Sequence, residues 1–296
     1  MPARDVPPGV EGIVSLTELP DDDWTDRWER IMLPAGVKER VLNYLLFALR
    51  NRGRVSAVGL PIHGLLVLAG PPGTGKTTLA GGLADQAARA LGEPLLFLDI
   101  DPHAFPSQML GESQRHVARL FERTLPDVAK LGRPTVVLLD EVEALAVNRT
   151  GASLETNPVD VHRATDAVLA GIDHVARTCH NVTFVATTNH ISGVDVAFLS
   201  RADLVEEVGL PGIEAATAIL RDTLGELVDP AVLARDGAGV ESLAVSCVER
   251  QMDARQMRKL VLRAVTARRE TALEPSRLRI EDVVAALGDA PTDPAR

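Results

Sequence analysis

The sequence predicts an α/β fold: a three-layer sandwich around a parallel five-stranded sheet, followed by a small all-helical domain. Three observations support this prediction. Apolar runs of strand length alternate with stretches of helical periodicity, as in a sheet covered by helices on both faces. A glycine-rich loop at 70–77 directly follows the first apolar run of that series, at 65–69. After Pro211-Gly212 the periodicity becomes helical only.

The elements follow in order along the chain. Residues 1–23 are rich in Pro, Gly and Asp, and we expect a flexible arm there, before helices that begin near 24 and 37. Strands are predicted at 65–69, 95–99, 135–139, 182–187 and 203–208. Helices are predicted between them at 76–91, 113–125, 159–177 and 195–201. The last domain has predicted helices at 213–227, 240–250, 253–270 and 280–287. The domain boundaries are therefore 1–23, 24–212 and 213–296.

Composition argues against several classes of protein. The net charge of −10 makes nucleic acid an improbable main partner, since phosphate-driven binding needs concentrated Lys and Arg. The two cysteines are far apart, so we expect a reduced, cytoplasmic compartment. No apolar run approaches the length of a membrane span.

The segment from Gly70 to Thr77 predicts a phosphate-binding loop, because backbone N–H groups of such a loop point at phosphate oxygens. Lys76 would supply a charge to the outer phosphates, and the hydroxyl of Thr77 would bind magnesium. An ordinary Gly/Pro turn is the weaker reading, given the strand before the loop and the helix after it. The loop thus predicts a bound nucleotide together with Mg²⁺. The expected binding residues are Gly70, Pro71, Pro72, Gly73, Thr74, Gly75, Lys76, Thr77, Thr78 and Asp140.

Two carboxylates follow the predicted strand at 135–139. Asp140 is placed to hold magnesium through water, and Glu141 to orient the attacking water. Alone, the pair could equally cap the next helix. The carboxyl ends of parallel strands meet at one edge of a sheet, which favours the catalytic reading.

Three later residues have weaker local support. Asn189 ends the strand at 182–187, where it could contact the γ-phosphate or the water, or simply form a turn. Arg201 ends a short helix, and could reach the nucleotide of a neighbouring subunit or be a surface residue. Arg255 lies in the first turn of a helix with Asp253 as N-cap, where a cation opposes the helix dipole. A phosphate partner and a tolerated surface cation are both open readings for Arg255.

The loop from Phe105 to Ser113 has an apolar tip, Met109-Leu110, beside a glycine. An exposed apolar tip would suit contact with a polypeptide. The alternative is a loop that folds back onto the core.

Together these residues resemble the AAA+ ATPases over roughly residues 24–290. Gly70–Thr77 and Asp140-Glu141 look like that superfamily's Walker A and Walker B motifs. Asn189, Arg201 and Arg255 look like its sensor 1, arginine finger and sensor 2. The resemblance implies ATP hydrolysis that depends on Glu141, Asn189, Arg201 and Arg255.

A closer resemblance is to the pachytene checkpoint protein 2 family, whose members remodel HORMA-domain proteins. It rests on residues 28–44, on 139–145, and on Val194 to Asp203, where generic AAA proteins carry Arg-Pro-Gly-Arg. The resemblance implies a homo-hexamer that grips a client with Met109 and Leu110, although the family usually has an aromatic there. Only a short arm precedes the ATPase, as in the short bacterial forms of cyclic-oligonucleotide anti-phage (CBASS) systems. There the client is a HORMA protein bound to a nucleotidyltransferase, which the ATPase releases to end signalling.

Two other functions are open at this point. One is a nucleotide-gated binding or scaffold module that does not unfold its partner. The other is a DNA-associated AAA+ loader, which the acidic composition disfavours.

Overall fold

The computed structural model describes residues 13–55, 59–101, 112–147, 158–229, 233 and 236–288. Two compact units divide them: residues up to 70 with 76–208, and residues 71–75 with those from 209 on. The sequence places the domain boundary at 212/213, four residues later. Among the described residues, no helix is long and apolar enough to cross a bilayer.

The first unit is built on a six-stranded sheet. Its strands are β1 (Ile13–Leu19), β2 (Leu65–Ala69), β3 (Leu95–Ile100), β4 (Thr135–Leu139), β5 (Val182–Thr188) and β6 (Leu204–Glu207). The spatial order is β1-β3-β4-β5-β2-β6. The five strands β2 to β6 pair in parallel, as the sequence predicts. The carboxyl ends of β4, β5 and β2 are therefore neighbours at one edge.

Strand β1 corrects the prediction of a five-stranded sheet, and it corrects the prediction of a flexible arm for residues 13–19. Residues 1–12 of the predicted arm lie outside the described residues. Residues Ile13–Leu19 pair antiparallel with β3, from Ile13 opposite Ile100 to Leu19 opposite Leu95. The Pro and Gly of the first residues obscured a short strand in which mainly Leu19 is buried. Its pairing partner lies some 80 residues along the chain, so local composition could not reveal it.

Helices cover both faces of this sheet. The helices are α1 (Asp22–Glu29), α2 (Val37–Asn51), α3 (Lys76–Leu91), α4 (Glu112–Arg119), α5 (Leu125–Ala129), α6 (Pro158–Thr178) and α7 (Val196–Leu199). Leu66 and Leu68 pack with residues of α2 and α3 on one face. Leu65 and Val67 pack on the other face, in a core that includes Phe121 and the buried side of α6. Strands β2, β3, β4 and β5 are thus buried on both sides, which explains why their sequences are mainly apolar.

The predicted helix at 113–125 is interrupted by a π-helical turn, Leu120–Thr124, that separates α4 from α5. Leu120 and Phe121 are buried there, and the Phe121 ring lies 5.7 Å from that of Phe184. A π-turn rotates the buried face relative to a regular helix, which explains how both side chains reach the core.

The second unit is all-helical, as predicted. Its helices are α8 (Ile213–Gly225), α9 (Gly237–Glu249), α10 (Ala254–Thr266), α11 (Arg269–Leu273) and α12 (Ile280–Gly288). They enclose a separate core that includes Leu220, Leu243 and Leu260. The predicted helix at 253–270 ends at Thr266, because Arg268 is extended and the Thr271 hydroxyl donates to the carbonyl of Val265.

Candidate nucleotide site

The glycine-rich loop begins where β2 ends. Gly70, Gly73 and Gly75 have φ of +156°, +79° and +89°, which L side chains rarely adopt. A Cβ at Gly70 would also lie 2.1 Å from the Val208 carbonyl oxygen. The loop conformation therefore requires glycine at these positions.

Lys76 opens α3 with its side chain turned back under the loop. Its ammonium donates to the Gly70 carbonyl at 2.8 Å and to Asn189 Oδ1 at 2.9 Å, and the residue is only 6% exposed. A buried ammonium needs partners of opposite polarity to offset desolvation. This position suits a charge that contacts phosphates bound by the loop.

Asp140 and Thr77 meet at the carboxyl edge. The Thr77 hydroxyl lies 2.8 Å from Asp140 Oδ1 and 3.1 Å from Oδ2. Thr187, at the end of β5, donates to Oδ1 at 2.5 Å, and its oxygen accepts the Glu141 N–H at 3.0 Å. Thr187 thus fixes both carboxylate residues.

Glu141 projects beside Asn189. The Asn189 amide donates to Glu141 Oε1 at 3.1 Å while its oxygen accepts from Lys76, so Asn189 connects Glu141 and Lys76. Glu141 has φ +52° and ψ +52°, a left-handed conformation that is strained for a glutamate. Glu143 Oε1 accepts the Asn189 N–H at 3.0 Å and so holds the end of β5.

This set of residues fits magnesium-ATP. No three His, Cys, Asp or Glu side chains of the described residues group into a metal site. Magnesium in nucleotide sites takes one or two protein oxygens and otherwise phosphate and water, which Thr77 and Asp140 could provide. Burial raises the pKa of the Asp99 carboxyl on β3, and Asp140 and Asp101 raise it further, so negative charge is concentrated near that edge.

Arg201 lies just before β6, at the amino-terminal ends of the parallel strands, whereas the loop lies at their carboxyl ends. The length of β2, about five residues or roughly 16 Å, separates these two ends. Its guanidinium contacts Asp173 rather than any residue of the loop. Within one chain, Arg201 is therefore not brought together with Lys76 and Glu141.

The remaining predicted residues belong to the second unit or lie outside the described residues. Arg255 is exposed in the first turn of α10, and the predicted N-cap Asp253 is confirmed, with a capping box to Gln256. Met109 and Leu110 lie outside the described residues, so their role as a pore loop stays a prediction.

Sequence reasoning missed Thr187, Glu143 and Asp173 as site residues. Thr187 and Glu143 each lie within two residues of a predicted site residue, and that proximity was the available signal. Asp173 gives no such signal, because it meets Arg201 across 28 residues.

Comparisons with known proteins agree with this geometry. Residues 66–210 match the family described as ATPase family associated with various cellular activities (AAA). The E. coli MS115-1 HORMA:CdnC:Trip13 complex structure contains a chain that superposes with TM-score 0.80 at 20% identity, covering 96% of this chain and 98% of that one. At that identity the likeness shows the fold. The chain is thus a phosphate-loop ATPase of the AAA class.

A nearer relation narrows the class. CD-NTase-associated protein 6 of Pseudomonas aeruginosa is 41% identical over 284 residues, 95% of this chain and 92% of that protein. This chain belongs to the same family. The putative pachytene checkpoint protein 2 of Caenorhabditis elegans is 32% identical over 74% of the chain, but the chain spans only 53% of its length. The resemblance to the AAA+ ATPases and to the pachytene checkpoint protein 2 family, inferred from the sequence, is confirmed.

Proposed function

We propose that this chain hydrolyses magnesium-ATP in a homo-hexameric ring and uses the energy to remodel a HORMA-domain protein. The client would be bound to a nucleotidyltransferase in cyclic-oligonucleotide anti-phage signalling, and its release would end the signal. The observation that carries the proposal is the Lys76–Asn189–Glu141 connection beside Thr77 and Asp140.

The chemical roles follow from position. Lys76 and the loop hold the phosphates, Thr77 and Asp140 hold magnesium, and Glu141 orients the attacking water. Asn189 holds the side chains of Glu141 and Lys76 in fixed positions through one hydrogen bond to each. Arg201 faces away from this centre, which supports a role at the nucleotide of a neighbouring subunit. For Arg255 the proposed role, contact with a nucleotide phosphate, rests on the resemblance to sensor 2.

The biological assignment is supported by two relatives. One is named for its association with a CD-NTase, and the other, a fold neighbour, was solved with HORMA and CdnC. We extend the association to this chain because the match covers 95% of this chain and 92% of that relative. The cytoplasm is the expected compartment.

The test uses purified HORMA protein and nucleotidyltransferase. Wild-type chain with ATP should separate their complex on size exclusion, whereas Glu141→Gln should bind ATP and the complex without releasing either partner. Lys76→Ala should bind no ATP, and Glu122→Gln, on an exposed residue of the π-turn, is the matched control. Full turnover by Glu141→Gln would overturn the assignment of the base.

The scaffold alternative predicts a different result. A nucleotide-gated scaffold would bind the complex with ATP and leave it intact. Replacing Met109 and Leu110 by serine would then have no effect on function. For a remodeller, the same replacement should stop release while basal ATP hydrolysis persists.

A further inference from the structure

The Arg201 guanidinium is held by all three of its nitrogens. Nε donates to Asp173 Oδ1 at 2.9 Å and Nη2 to Oδ2 at 2.8 Å, while Nη1 donates to the Ala197 carbonyl at 2.8 Å. Guanidinium has five N–H donors, so one remains on each terminal nitrogen. The fork with Asp173 fixes the plane of the group and leaves a second, outward edge for another acceptor.

Asp173 is itself firmly placed. It lies on α6 between Ile172 and Val175, both fully buried in the core, while its own side chain is 28% exposed. The hydrogen bond from Arg201 is the main cause that lowers the pKa of the Asp173 carboxyl, which is therefore ionised at neutral pH. His63 Nε2 lies 3.9 Å from Oδ1, the oxygen that also accepts from Arg201 Nε.

Arg201, Asp173 and His63 line a cavity of about 650 Å³. Its lining includes the cationic or titratable side chains of Arg177, Arg201 and His63, with Asp173 as a carboxylate among them. Arg52 also lines it, but two of its nitrogens donate to the carbonyls of His63 and Cys179. A concave surface with surplus positive charge suits a phosphate group presented from outside the chain.

We propose that Asp173 is a positioning residue for Arg201, and that it acts on ATP hydrolysis in the neighbouring subunit. A free arginine loses much rotamer freedom when it meets the transferred phosphate. Asp173 and the Ala197 carbonyl remove that freedom in advance, so that the outward edge of Arg201 is oriented when the subunits meet. The inference rests on the proposed function, in which Arg201 completes the neighbour's site.

The test separates the two halves of the site. Lys76→Ala chains bind no ATP but donate Arg201, whereas Arg201→Ala chains bind ATP and donate none. Each alone should be inactive, and their mixture should regain hydrolysis at the mixed interfaces. The donor is then changed to Lys76→Ala/Asp173→Asn, with Lys76→Ala/Asp127→Asn as the matched control on an exposed aspartate.

With the Asp173→Asn donor, kcat of the mixture should fall about 10- to 100-fold, less than the 10³-fold or more expected for loss of an arginine finger. The KM for ATP should change less than about threefold, because the nucleotide sits in the unaltered chain. Asp173→Glu in the donor should recover part of kcat, and it replaces Asp173→Asn if that variant does not fold. An unchanged or raised kcat in the mixture, or a change in KM alone, would overturn the proposal.

Failure of the proposed function would look different. If Arg201→Ala alone hydrolysed ATP at the wild-type rate, Arg201 would not be the finger, whatever Asp173 does. If the mixture regained hydrolysis with the Lys76→Ala donor and kept it with the Asp173→Asn donor, only the positioning role would be lost.

Discussion

Replacing Asn189 by alanine should separate ATP binding from ATP hydrolysis. The side chain makes two hydrogen bonds to charged groups, one from Lys76 at 2.9 Å and one to Glu141 at 3.1 Å. A hydrogen bond to a charged group contributes about 1.5–3 kcal/mol. Asn189 is half-exposed, so we take the lower half of that range for the bond that orients Glu141. At about 1.36 kcal/mol for each factor of ten, kcat should fall about 10- to 50-fold.

The assay is phosphate release at saturating magnesium-ATP, with ATP affinity measured separately by titration calorimetry. Affinity should change only a few-fold, because Lys76 keeps its contact with the loop carbonyl of Gly70. Asn189→Asp is the matched variant: it preserves size and the acceptor for Lys76, but it cannot donate to Glu141.

A wild-type kcat in Asn189→Ala would refute the reasoning, since the bond to Glu141 would then contribute nothing in the transition state. Loss of ATP binding without loss of kcat would refute it as well, because it would assign Asn189 to the ground state alone. A wild-type kcat in Asn189→Asp would show that donation to Glu141 is irrelevant, because that variant keeps the acceptor for Lys76 and lacks the donor.

Three further predictions concern the fold. Asp203→Asn should lower the free energy of unfolding by about 2–4 kcal/mol in urea titrations, because its carboxylate accepts three backbone N–H groups at the start of β2 and a tyrosine hydroxyl; a loss below 1 kcal/mol would contradict that role. Gly81→Ala should cost about 1–3 kcal/mol and alter tryptophan fluorescence, since the new Cβ would lie 2.3 Å from the Trp24 ring; an unchanged spectrum and stability would contradict this packing. Cys247, whose thiol pKa is raised by burial to about 11, should stay unreactive to Ellman's reagent at pH 8, as should buried Cys179, until urea exposes both; rapid titration of either thiol in the folded protein would contradict their burial.

The parts of the site that the sequence could predict are those encoded locally. The glycines of the loop at 70–77 have positive φ, so the sequence itself indicates the loop conformation. Asp140, Glu141 and Asn189 each come after an apolar strand. Parallel pairing of β2, β4 and β5 then brings the strand ends together without further information. These inferences needed only strand order and residue type.

The parts that could not be predicted depend on distant contacts. β1 is a strand because β3 accepts it as an edge partner, and its own composition suggested an arm. Asp173 reads as an ordinary helix residue until the fold places Arg201 opposite it. The π-turn at Leu120–Thr124 likewise depends on packing between Phe121 and Phe184, which are far apart in the sequence. Local periodicity therefore could not predict it.

The left-handed backbone at Glu141 has a consequence for how this protein can be improved. Glycine would relieve that strain, so the free energy of unfolding of Glu141→Gly should be about 1 kcal/mol higher than that of the wild type. The same variant should lose ATP hydrolysis. Selection for heat resistance alone would thus favour the replacement of Glu141. A stabilisation programme for this enzyme therefore needs an activity screen at every round, and position 141 is where a screen for folding alone would mislead.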